Sequence, residues 1–187
     1  MSLLALDARW RRFNDPDREC PCCGRRFSGV YDIAYDHPAR WPHPERGDQP
    51  FVKAGEDQLA ADLCRVGGVR LLRAHAALPI HGAEDMLHLT PWVAVPDEVF
   101  FAYLDTTDSA DAPLPAPAQG LLDNDLPDLA ETGTAVTVHF DTREALPRIE
   151  ASAGPLADAL QNGISFDQLL DLYAACGDDI RPHLLRD

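Results

Sequence analysis

The sequence predicts an α+β fold: an antiparallel β-sheet with an N-terminal helix and cysteine knuckle, short helices, and two C-terminal helices packed on the sheet. Three observations carry this. Gly67-Gly68 stands between two apolar runs, and a two-residue hairpin turn needs positive φ at both central positions. Ser165, followed three residues later by Gln168, forms a capping box ahead of an amphipathic stretch. Cys20-Pro21-Cys22-Cys23-Gly24 makes a tight, glycine-ended cysteine turn near the start of the chain.

Taken in order, residues 3–13 place Leu3, Leu6, Trp10 and Phe13 at helical spacing, which predicts a short amphipathic helix. The cysteines follow in irregular sequence. Between Tyr35 and Pro50 lie Pro38, Pro42, Pro44 and Pro50, which exclude a regular helix or a central strand. The centre reads as three consecutive antiparallel strands over residues 59–95: Leu59 to Val66, the glycine turn, Val69 to Ile80, and Met86 to Val95. Pro96 opens a helix over Asp97 to Tyr103 that puts Val99, Phe100 and Tyr103 on one face. Residues 105–118 are polar and rich in Pro and Ala, so a mobile loop is expected. Strands resume near Ala135 to Phe140 and Arg148 to Ala151. A helix near 155–162 ends at Gly163, and a second near 166–176 presents Phe166, Leu169, Leu170 and Tyr173 on one face before Gly177.

All 187 residues are expected to form one domain. Its parts are a knuckle and Pro-rich loop over 14–58, a central sheet over 59–104, the mobile loop 105–118, and strands with closing helices over 119–187. No stretch approaches the roughly 20 apolar residues of a membrane span. Asp7 and Arg9 interrupt the apolar start too early for an export signal, so the expected address is the cytoplasm.

The net charge of −15 is unevenly placed. Residues 1–46 carry 8 arginines against 7 acids, whereas residues 47–187 carry 8 bases against 24 acids. The larger part repels phosphate backbones, which argues against nucleic acid as a partner and favours a basic protein, or solubility alone.

Five cysteines, an odd number, in a chain without an export signal argue against a disulfide framework. Metal binding, thiol chemistry and plain burial are left. Cys20 and Cys23 have the C-x-x-C spacing with which two thiolates chelate one Zn²⁺ from a turn. That is half of a tetrahedral site, and Cys64, His37 and His43 are the candidates for the rest, Cys64 foremost. A DNA-reading finger is excluded because Pro38, Pro42 and Pro44 forbid the helix that would carry its histidines. A redox C-x-x-C needs a helix starting at its first cysteine, and Gly24, Ser28 and Gly29 follow instead. Cys176 reads as a packing residue of the last helix. Asp123-Asn124-Asp125 begins like a calcium loop but lacks the later Gly and Glu, so it reads as a turn. The chain has no H-E-x-x-H, no nucleophile elbow and no phosphate-binding glycine loop.

An ordered string of short motifs runs through residues 18–175. After Cys20-Pro21-Cys22-Cys23-Gly24 come Asp62-Leu63-Cys64, then Leu72-Arg73 leading to Leu78-Pro79-Ile80, and Pro91-Trp92-Val93 with Phe100 and Tyr103 behind. Leu126-Pro127, Gly154-Pro155-Leu156-Ala157 and Gly163-Ile164 complete it. In these motifs and their order the chain resembles a bacterial family known only as a domain of unknown function, number 2199. The resemblance implies no activity. It does bring out two departures: Phe27 stands where similar proteins often have a histidine, and Gly154-Pro155-Leu156 where they tend to have His-Pro-Leu. If that first histidine helps to hold a metal, this chain has lost a ligand.

These readings favour a non-catalytic binding or interaction module with a structural cysteine knuckle; its partner is unknown, a basic protein being one candidate. No cofactor is expected, with a structural zinc on Cys20, Cys23 and Cys64 left open. The alternative is an enzyme of unrecognised type that uses Cys64, Arg73 and His75 around a pocket. A third reading, suggested by the acidic excess, is an inhibitor of a basic protein.

Overall fold

The computed structural model describes residues 2–185. A short 3-10 turn, Leu4–Leu6, precedes helix α1 (Ala8–Phe13). The expected single helix over 3–13 is broken at Asp7, whose extended backbone and side-chain acceptance of the Arg9 N–H make it an N-cap. Strands β1 (Ile33–Ala34), β2 (Phe51–Ala54), β3 (Asp57–Ala60), β4 (Leu63–Val66) and β5 (Val69–Arg73) follow. Next come β6 (Ala76–Pro79), β7 (Met86–Thr90), β8 (Trp92–Val95) and helix α2 (Asp97–Asp108). The chain continues through β9 (Ala118–Leu122), β10 (Ala135–His139) and β11 (Arg148–Glu150). It closes with α3 (Gly154–Asn162), α4 (Phe166–Ala175) and α5 (Arg181–Leu184).

The α+β class and the antiparallel sheet are as predicted. Eight strands pair in the order β11-β10-β9-β8-β5-β4-β3-β2, and a small sheet runs β1-β7-β6. The Gly67-Gly68 hairpin is present: Val66 faces Val69, and the two glycines have φ of 56° and 79°. The three long strands over 59–95 are instead six short ones. Ala61-Asp62 turns the first run, and the Asp62 carbonyl accepts the Arg73 N–H at 2.9 Å. The second run breaks at Ala74-His75, where His75 leaves the β4–β5 ladder and bonds the Pro147 carbonyl at 2.8 Å. Pro91 ends β7, because it has no N–H to give a ladder.

Other boundaries move for local reasons. The segment 14–58 is not loop throughout: β2 and β3 form a hairpin about Gly55, too short to show a period. Helix α2 runs on to Asp108 rather than stopping at Tyr103, which shortens the expected loop 105–118. Strand β9 begins within that loop's last residue.

By contact the chain divides into two compact units. The first is made from the residues up to Ile33, Ala77–His88, and those from Asp158 on; the second comprises Ala34–Ala76 and Leu89–Ala157. The core of the first is aromatic. Phe13 lies 5.9–6.4 Å from Phe27, Tyr31, Phe166 and Tyr173. Tyr31 and Tyr173 stack at 4.1 Å; the Tyr173 hydroxyl donates to the Tyr31 carbonyl and accepts the Tyr31 N–H. The α4 capping box forms as expected, and Phe166, Leu169, Leu170 and Tyr173 are buried while Leu160 is half-buried. Gly163 has no alternative, since a Cβ there would stand 2.5 Å from the Pro79 carbonyl that accepts the Ile164 N–H. The core of the second unit packs Trp41, Leu59, Cys64, Val66, Leu71 and Trp92 together. No helix among the described residues is long and apolar enough to cross a membrane.

Candidate metal centre

The knuckle is a tight loop closed by an antiparallel bridge between Glu19 and Arg26, whose side chains also form an ion pair. Cys20 N–H donates to the Arg25 carbonyl at 2.9 Å, and the Cys20 carbonyl receives the N–H groups of Cys23 (3.3 Å) and Gly24 (2.8 Å). Gly24 has φ of 74°, which lets the chain reverse directly after the third cysteine. Three thiols are thereby forced onto one side of a six-residue turn.

A fourth donor arrives from the C-terminal end. Ile180 and Leu184 are fully buried and seat the short helix α5, which turns His183 towards the knuckle. His183 Nδ1 lies 3.3 Å from Cys20 Sγ, 3.6 Å from Cys22 Sγ and 3.4 Å from Cys23 Sγ, and Cys20 Sγ is 3.0 Å from Cys22 Sγ. All four donor atoms fall within 4.8 Å of one another. A tetrahedral ion with sulfur at about 2.3 Å and nitrogen at about 2.0 Å has ligand-to-ligand edges of roughly 3.5–3.8 Å. The four atoms therefore fit one small ion, and three cysteines with one histidine are a standard closed set for structural zinc.

Contacts that need no metal hold the histidine arm in place. Arg18 donates from both terminal nitrogens to the His183 carbonyl at 3.2 Å, and Arg12 donates to the Leu184 carbonyl at 3.0 Å. Arg25 grips Asp178 through two parallel bonds of 2.6 and 2.7 Å while lying over the Phe27 ring. The Phe27 ring centre is 6.0 Å from that of His183. Phe27 thus lies next to a histidine brought from elsewhere in the chain.

The thiols themselves are electrostatically coupled. The hydrogen bond shared with Cys22 draws Cys20 down to about 6, and the same bond pushes Cys22 up to about 11. The first proton leaves the group readily and the second does not, as expected of thiols that share hydrogen bonds at short range.

Asp178 provides a prediction. Its bidentate bond to Arg25, with help from the Tyr31 hydroxyl, holds its carboxyl down to about 2. A depressed acid stabilises the fold fully above its unfolded pKa of about 3.9, and that contribution is lost as pH falls through about 2. Because 39% of the side chain remains in water, the contribution is on the order of 1 kcal/mol or less. An NMR titration of the Asp178 carboxyl is expected to show the low midpoint in the wild type and a return towards the ordinary value in Arg25→Gln. A midpoint unchanged by that substitution would refute the assignment.

Of the residues expected from sequence, the structure brings Cys20 and Cys23 together. Cys64 it does not bring to this group: that thiol is buried among Trp41, Leu59 and Trp92, where burial pushes it up to about 12. His43 bonds Asp57 at 2.8 Å and His37 bonds the Pro38 carbonyl. Sequence reasoning missed Cys22, treated as a bystander between the C-x-x-C pair, and His183. His183 lies 160 residues beyond Cys23, where no spacing rule reaches. Cys176, expected to be a core or C-terminal packing residue of the last helix, is exposed at the C-cap of α4. Nor do Cys64, Arg73 and His75 face a common partner. Arg73 donates to the Thr90 hydroxyl and His75 meets the Leu146 carbonyl, while Cys64 is enclosed in the core.

Fold and donor set together define an α+β protein with a compact three-cysteine, one-histidine centre able to hold a metal. The chain belongs to a bacterial family described as an uncharacterised protein conserved in bacteria (DUF2199), whose profile matches residues 19–164. That span includes the three cysteines and excludes His183. No curated protein and no solved structure matches the chain.

Proposed function

We propose that this is a non-catalytic module in which Cys20, Cys22, Cys23 and His183 hold one structural zinc ion, fastening the N-terminal knuckle to helix α5. The observation that carries the reading is the convergence of four donors within 4.8 Å, three from one turn and one from the far end of the chain. Four protein ligands complete a tetrahedron and leave no position for substrate or water, which favours a structural over a catalytic ion. The high pKa of Cys64 and its enclosure argue against a nucleophile in the second unit. Thiolate ligands suit a reducing compartment such as the cytoplasm. The acidic excess of residues 47–187 favours a basic protein as partner.

Metal analysis of protein purified without chelator, paired with thiol titration, tests this. One equivalent of zinc is expected, with thiols that react only after a chelator has removed it. Less than about a tenth of an equivalent, with the same thiols reactive before and after chelation, would overturn the proposal.

A further inference from the structure

Within the second unit, helix α2 and strands β2 to β5 border an open pocket of about 320 Å³. This is within the size range of small-ligand sites, roughly 300–1,000 Å³. Its apolar lining includes Phe51, Leu63, Phe100, Phe101 and Leu104. Phe51 and Phe101, both on its lining, are 47% and 45% exposed, so the pocket presents aromatic surface at its mouth. The chain carries 31 acids, yet the cavity is lined by two arginines, Arg65 and Arg70, and by no acid.

The two arginines differ in availability. Arg65 is occupied: its Nε bonds the Glu56 carbonyl at 2.9 Å and its Nη2 bonds the Glu56 carboxylate at 2.7 Å. Arg70 is ion-paired with Asp97 but not fully hydrogen-bonded. Its guanidinium lies 4.4 Å from the Phe101 ring centre and 5.4 Å from that of Phe100, with the side chain 17% exposed. Its buried Nε is 3.2 Å from an Asp97 oxygen without hydrogen-bond geometry, and Asp97 points largely into solvent. Stacking fixes the guanidinium plane and so presents a rigid fork of donors, and burial raises the cost of leaving the Nε donor without a hydrogen bond.

We propose that this cavity binds a small monocarboxylate with an apolar tail, its carboxylate on Arg70 and its tail against Phe51, Leu63, Phe101 and Leu104. A planar, singly charged group matches one guanidinium fork. A dianionic phosphate would call for further donors, and Arg65 is already committed to Glu56. The apolar lining accounts for the tail. Cys64 also borders the cavity, but burial holds its thiol protonated, so binding is non-covalent.

Calorimetric titration of the full chain with octanoate and with octanamide, which share a tail and differ in charge, tests the proposal. Octanoate is expected to bind at least about tenfold more tightly than the amide, the worth of a charge-assisted bond. Arg70→Gln should bring the two ligands within about twofold of each other with octanamide affinity unchanged, and Ala60→Trp, which fills the cavity, should abolish both. Because Arg70→Gln also removes stacking, circular dichroism checks its fold; if it is unfolded, the wild-type comparison and Ala60→Trp decide. Equal affinity of the two ligands for the wild type, no saturable binding of octanoate, or unimpaired binding by folded Ala60→Trp would each overturn the proposal.

Discussion

Cys20→Ser and His183→Ala are each expected to lose the bound zinc and to unfold at the temperature of chelator-treated wild type. Serine is close to cysteine in volume, so the buried position of residue 20 stays filled while the thiolate is gone. His183→Ala removes the one donor supplied from outside the knuckle. A ligand that binds only the folded state adds RT ln(1 + [L]/Kd), about 4 kcal/mol at a thousandfold excess over Kd. For a chain of this size that amounts to roughly 8–16 °C in Tm. Thermal scans with one equivalent of zinc and with chelator should therefore separate wild type from both variants in the first condition and merge all three in the second. Arg12, Arg18 and Arg25 still pin the C-terminal arm without metal, so the chelated protein should remain folded. Retention of a full equivalent of zinc by His183→Ala would remove that residue from the ligand set.

Trp92→Ala should be the most damaging single substitution in the second unit. The side chain is fully buried against Trp41, Leu59, Cys64, Val66 and Leu71, and its indole N–H donates to the Tyr35 carbonyl at 2.9 Å. Truncation of a buried tryptophan costs about 3–5 kcal/mol through lost contacts and the cavity left behind. The lost hydrogen bond to the Tyr35 carbonyl adds about 0.5–1.5 kcal/mol, so a loss of about 4 kcal/mol or more is expected in urea unfolding. Against a typical total of 5–15 kcal/mol the alanine variant will be marginal. Trp92→Phe fills most of the space and isolates the polar part, with an expected loss near 1–3 kcal/mol. An alanine variant within about 1.5 kcal/mol of wild type would show that the core around Trp92 relaxes to close the gap.

The behaviour of Pro91, next to this tryptophan, shows where sequence reading of the sheet reached its limit. The apolar run from Met86 to Val95 has the composition of one strand, and the missing N–H of Pro91 divides it into β7 and β8 in different sheets. The break at Ala74-His75 has no such mark. His75 leaves the ladder because the Pro147 carbonyl, more than 70 residues away, offers a better-placed acceptor. Local patterns report which residues are apolar and how they alternate; they do not report which strand comes to lie beside them.

What the sequence by itself determined was local. The Gly67-Gly68 turn, the capping box at Ser165 and Gln168, the proline start of α2 and the tight Cys20–Gly24 turn each depend on backbone dihedrals or hydrogen bonds within a few residues. The tertiary structure alone decided the candidate centre. Cys64 and His183 are both remote from the knuckle along the chain, and neither residue carries a local sign of where its side chain will go. Burial decided between them: the apolar surroundings of Cys64 drew its thiol into the Trp92 core, while Ile180 and Leu184 anchored the C-terminal arm and left His183 facing the three sulfurs.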